Sequence, residues 1–306
     1  MQPKYSLALA LILLLLVIAP VNAADKAELK RHTVIADGHP IALWEKSAAG
    51  ATEAILLVHG RTWSALPDFD LQVEGEDLSL MDGLVEKGYA VFAVDLRGYG
   101  ETPRDETKWL TPNRAADDLA IVIDWIATAQ DWKIKPHLFG WSRGATIAQL
   151  MVHRHRGYVS SLTMFGYWRD DDVDFPADDT DIKLLLAENT AEAAASDFII
   201  PGSISEKAIE TYVKVSLAAD PIMVDLKNDD QYNVMNGSSI DIPTLIIHGQ
   251  HDPIAPPEYQ AKLYMRLATG HKQWVTVPGG DHAAFLETPR EYFIHELVGF
   301  LQGAAL

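Results

Sequence analysis

The chain has 306 residues, 48% of them hydrophobic and 22% charged, a balance that fits a packed globular protein and excludes intrinsic disorder and repeat fibres. The formal net charge of -18 repels phosphate backbones and disfavours nucleic acid as a partner, so none is expected. There is no cysteine, so disulfides, thiolate nucleophiles, iron–sulfur clusters, cysteine zinc sites and a cysteine-linked lipid anchor are all excluded.

Residues 1–23 read as a secretory signal peptide. Lys4 supplies a positive start, Leu7 to Ala19 an apolar stretch, Pro20 a break, and Val21-Asn22-Ala23 small residues before a cut after Ala23. The apolar stretch is shorter than the ~20 residues a membrane span needs. A secreted or periplasmic protein without a stable membrane anchor is expected.

From there short apolar runs alternate with amphipathic helical patterns, the signature of an α/β fold with a mostly parallel sheet and helices on both faces. Ala54 to Val58 and Tyr89 to Val94 are continuously apolar, as strands buried on both faces should be, with shorter runs at His137 to Phe139, Leu162 to Phe165, Thr244 to Ile247 and Trp274 to Val277. Thr111-Pro112 opens a helix carried by Ala116, Leu119, Ile123 and Ile126, and Tyr292, Phe293, Leu297, Phe300 and Leu301 mark a final one. Between Tyr167 and Ile240 no run has clean strand character. Helical patterns at Ile182 to Ala195 and Ser205 to Ala218 follow an acid-rich stretch, Arg169 to Asp181. The expected layout is a core in two parts, 24–166 and 241–306, with a helical cap inserted at 167–240. The acids read as solvated surface: Asp170-Asp172-Asp174 lacks the glycine and the distal glutamate of a calcium loop.

Gly140-Trp141-Ser142-Arg143-Gly144 follows a short strand and opens a helix, the context in which G-x-S-x-G forms a nucleophile elbow. A tight turn would push the Ser142 hydroxyl into the open, and side chains at 140 and 144 would crowd it. Serine needs a base, and the base an orienting acid. Asp252 and His282 each fall just past a predicted strand, which puts both at the carboxyl edge of the sheet beside Ser142. His248, His251 and Asp281 adjoin these candidates; His248 reads as the end of a strand, and Asp281 as pointing away from His282. Acyl transfer also needs donors for an oxyanion, expected from the backbone N–H groups of Arg143 and of Arg61 in His59-Gly60-Arg61-Thr62-Trp63. His59 reads as a turn and packing residue. Trp63, Trp141, Tyr167 and Trp168 lie near strand ends or the cap junction, where each could line a substrate pocket or fill core.

His59-Gly60, Asp95-Leu96-Arg97-Gly98-Tyr99-Gly100, the elbow, Asp252 and His282 occur in an order that resembles the α/β-hydrolase superfamily over nearly the whole chain. The resemblance implies that fold, with Asp95 to Gly100 as a structural loop. Two departures are Asp281, where many relatives have glycine before the base, and Ala145, where many have a second glycine. Serine at 142 sets the chain apart from the branches resembling epoxide hydrolases and dehalogenases, which use aspartate. The expected activity is hydrolysis of a small-molecule carboxylic ester through an acyl-enzyme. An exported aminopeptidase or amidase is the alternative, and a ligand-binding protein that keeps the fold a third reading. His295-Glu296-Leu297-Val298-Gly299 lacks the second histidine of a zinc helix, and no phosphate or dinucleotide loop is present, so no metal and no cofactor are implied.

Overall fold

The computed structural model describes residues 26–129 and 134–304; the predicted signal segment lies outside them. Eight strands form one sheet: β1 (Lys30–Ala36), β2 (His39–Ser47), β3 (Ala54–Val58), β4 (Ala90–Val94), β6 (His137–Trp141), β7 (Leu162–Phe165), β9 (Thr244–Gly249) and β10 (Lys272–Val277), while β5 (Trp109–Leu110) and β8 (Asp225–Leu226) pair separately. The order is β1-β2-β4-β3-β6-β7-β9-β10. β1, β2 and β4 pair antiparallel and the rest parallel.

The side-chain period of a strand explains the two-sided core. Ala54, Leu56 and Val58 of β3 pack with α3 (Pro112–Ala129), α4 (Arg143–Arg154) and α7 (Pro257–Arg266). Ile55 and Leu57 face α1 (Ala65–Phe69), α2 (Leu80–Glu86) and α8 (Arg290–Ala304). β3 sends the chain to β4 on one side, and the later strand β6 pairs on its other side. The order therefore reverses at β3, which opens a crevice beyond the carboxyl ends of β3 and β6. Gly60 to Thr62 leave one of these strands and Ser142 the other.

The structure adds one element to the sequence reading and corrects two others. First, the sheet begins with a hairpin that the alternation of runs and helices did not indicate. Asp37 and Gly38 sit at φ 49° and 75°, as a tight two-residue turn requires. Second, β10 is an edge strand, and most of its side chains are partly or fully exposed instead of doubly buried. Third, of the helix expected over 182–195 only α5 (Ala191–Ala195) forms. Upstream, the Asp225 carboxylate accepts the N–H groups of Leu185 and Leu186 at 2.8 and 3.1 Å, so those amides are satisfied without a helix. The other helix of this insertion, α6 (Glu206–Ala219), starts at Ser205, whose hydroxyl accepts from the Ala208 N–H.

Candidate active site

Ser142 links β6 to α4 at φ 56° and ψ -121°, a conformation L side chains rarely adopt, and remains partly accessible. Its N–H is held by the Phe165 carbonyl at 2.8 Å. The flanking glycines are sterically required. A Cβ on Gly140 would lie 2.4 Å from the Gly144 carbonyl oxygen, and one on Gly144 2.3 Å from that of Val58. The chain leaving β3 passes close by, where a Cβ on Gly60 would meet the Ser142 Cβ at 3.1 Å.

His282 and Asp252 converge from the loops after β10 and β9, and His282 Nδ1 donates to Asp252 Oδ2 at 2.7 Å. That bond orients the ring and leaves Nε2 as the proton acceptor. Burial would raise the Asp252 pKa; the bond to His282 and the N–H groups of Ile254 and Ala255 outweigh it and hold the carboxyl below its ordinary value. The Trp141 indole donates to the His282 carbonyl at 2.6 Å, tying the His282 loop to the residue before Ser142. Gly166 gives the imidazole room, since a Cβ there would lie 2.7 Å from its Cε1.

Arg143 heads α4, so its N–H has no intrahelical acceptor. Its buried guanidinium pairs with Asp229 and lies 5.5 Å from the centre of the Tyr232 ring. Burial opposes the charge, but these partners hold the group above its ordinary pKa. The Arg61 side chain is exposed and reaches Met223 Sδ at 3.5 Å, on the rim of a cleft of about 450 Å³ that Arg143 and Leu185 also line. Next to Arg61, Thr62 has φ 115°. His59 is fully buried: its Nδ1 donates to the Gly60 carbonyl at 2.9 Å and its Nε2 accepts from the Leu96 N–H at 3.1 Å. Burial lowers its pKa to about 4, so it is neutral and serves as a brace.

The aromatic candidates divide. Tyr167 has no exposed surface, and its hydroxyl donates to Asp171, so it fills core instead of lining a cleft. Trp63 and Trp141 are buried, the Trp141 ring 5.6 Å from that of His282, and Trp168 is partly exposed against Phe175. His248 ends β9 as expected and meets Gln260. The Asp95 carboxylate takes N–H groups from Trp44, Ala65 and Glu101, bracing its loop.

Sequence reasoning missed a buried polar cluster. The Tyr212 hydroxyl of α6 sits 2.9 Å from both Asp68 Oδ1 of α1 and Asp197 Oδ2 of the insertion. A phenol has one proton, so the second contact requires a protonated carboxyl. Burial, with smaller opposing contributions from Tyr212, His282 and Trp63, raises the Asp197 pKa to about 6. No spacing signals this cluster, because Asp68 lies far up the chain from the insertion that carries Asp197 and Tyr212.

A sheet of this order, with a strained serine between strand and helix and a histidine–aspartate pair at the same edge, defines a hydrolase-type fold. The chain belongs to the alpha/beta hydrolase family, whose pattern it matches over residues 55–295. It is 27% identical over 230 residues to the AB hydrolase superfamily protein YisY of Bacillus subtilis, covering 68% of this chain and 80% of that one. It is 24% identical over 270 residues to a pimeloyl-[acyl-carrier protein] methyl ester esterase of Neisseria meningitidis, covering 79% of this chain and 90% of that one. A thermophilic esterase from Thermogutta terrifontis superposes with a TM-score of 0.60 at 21% identity, over 90% of this chain and 99% of that structure.

Proposed function

We propose that the protein is an exported serine hydrolase acting on small-molecule carboxylic esters. The hydrogen bond from His282 Nδ1 to Asp252 Oδ2, at the same edge of the sheet as the strained Ser142, carries the reading. Ser142 Oγ attacks the ester carbonyl as His282 Nε2 takes its proton, and the N–H groups of Arg143 and Arg61 receive the oxyanion. The carbon–oxygen bond breaks, and His282 returns the proton to the leaving alcohol. Water then attacks the acyl-enzyme, its proton passing to His282 and on to Ser142 Oγ as the acid departs. The esterase relative supports an ester as the bond cleaved. The signal-like residues 1–23 support export.

Ser142→Ala tests the chemistry. Hydrolysis of p-nitrophenyl esters is expected to fall by roughly 10⁴-fold or more, with loss of labelling by a fluorophosphonate. Labelling that survives the substitution would remove Ser142 from the mechanism. Aminoacyl arylamides assayed beside the esters separate an aminopeptidase from an esterase.

A further inference from the structure

Asp281 stands beside the base and has no part in the chemistry above. It is fully buried, and each of its carboxylate oxygens is engaged. Oδ2 accepts the N–H groups of Ile199 and Ile200 at 2.9 and 3.0 Å, and Oδ1 accepts the Ala283 N–H at 2.9 Å. One side chain thus joins the insertion between β7 and β9 to the loop that carries His282. The same stretch is fastened again at Ser203, whose hydroxyl donates to Glu287 at 2.6 Å and whose carbonyl accepts from the Thr288 N–H at 2.8 Å. Just before the double contact stands Asp197, within electrostatic reach of His282 and hydrogen-bonded to the Tyr212 hydroxyl at 2.9 Å. Phe198 packs edge-on against that tyrosine, 5.0 Å between ring centres.

Resting on the esterase reading, we propose that Asp281 is a positioning residue that locks insertion residues 197–200 onto the His282 loop, so that an acyl chain passing beneath them binds in fixed register with the base. A carboxylate is the side chain this task requires. It offers acceptors in two directions, toward the pair of insertion amides and toward Ala283. Asparagine of the same shape offers one acceptor: with its oxygen toward Ile199 and Ile200, its NH₂ would confront the Ala283 N–H. Glycine offers none, and leaves the buried Ala283 N–H and the two insertion N–H groups without this acceptor.

The test compares p-nitrophenyl octanoate with p-nitrophenyl acetate. The short ester reports the chemistry, and the long one also reports the proposed acyl path beneath residues 197–200. In Asp281→Asn and Asp281→Gly the octanoate-to-acetate ratio of kcat/KM is expected to fall roughly tenfold, the loss residing in KM, while amide exchange at Ile199 and Ile200 accelerates. An equal loss on both esters, or unchanged exchange at the two amides, would overturn the proposal. If neither Asp281 variant folds, Ile200→Pro removes one of the two donors from the other side, and the same shifts in ratio and in Ile199 exchange are required. Failure of the wild-type protein to hydrolyse any ester or to label at Ser142 counts against the esterase reading alone, because amide exchange still decides whether the lock exists.

Discussion

His59→Gln should reduce the protein's sensitivity to acid. His59 is buried, its Nδ1–H is committed to the Gly60 carbonyl and its Nε2 accepts from the Leu96 N–H, so protonation would set two donors against each other in a dry site. Its pKa falls from 6.5 to about 4, chiefly by burial. In the unfolded chain the ordinary value returns. Between these two values the unfolded state therefore binds the extra proton, and the stability His59 gives, fully present above the unfolded value, drains away as pH falls. At about 1.36 kcal/mol per pH unit, roughly 2 kcal/mol is lost from this side chain by pH 5. Buried carboxyls act with the opposite sign: Asp95 and Asp197 are raised to about 6 and Glu287 to about 7, mainly by burial, so acid relieves their penalty. Wild type and His59→Gln share those groups, and the difference between them isolates the histidine. Urea unfolding followed by tryptophan fluorescence should show the variant less stable at pH 7.5, because glutamine packs worse, and the gap closing by roughly 2 kcal/mol at pH 5. Parallel stability curves over that range would refute the assignment of His59 as a neutral brace.

Three further substitutions probe the site. Asp252→Asn should retain the fold and lower kcat on p-nitrophenyl esters by roughly 10³–10⁴-fold, since the amide cannot hold the imidazole in the same tautomer; thermal melts confirm folding, and a loss under tenfold would argue against the pair. Gly144→Ala places a methyl 2.3 Å from the Val58 carbonyl oxygen, backbone against backbone, and should cost about 3 kcal/mol or more in urea midpoint analysis. Trp141→Phe strips the donor 2.6 Å from the His282 carbonyl; a stability loss of about 1–3 kcal/mol and a fall in kcat are expected, both readable on one preparation.

The parts legible from sequence were those governed by local rules. The doubly buried runs of β3 and β4 admit few other placements, and the elbow glycines announce a turn that only small neighbours permit. Asp252 and His282 were placed by a topological rule, and the short bond between them follows from the two loops lying side by side: a Cβ on Gly249 would meet the Asp281 carbonyl oxygen at 2.1 Å. What sequence left hidden depends on partners distant in the chain. The Ile182 to Ala195 pattern has helical spacing, yet Asp225 captures two of its amides. Tyr167 sits at a strand end as a pocket residue would, yet Asp171 and the core enclose it. Asp281 is the instructive case. In the sequence it stood only as a departure from the glycine of many relatives. In the fold its two oxygens join the His282 loop to the insertion. A residue that breaks a family pattern beside a reactive group is therefore best examined for what it grips, because a buried carboxylate persists only where donors hold it.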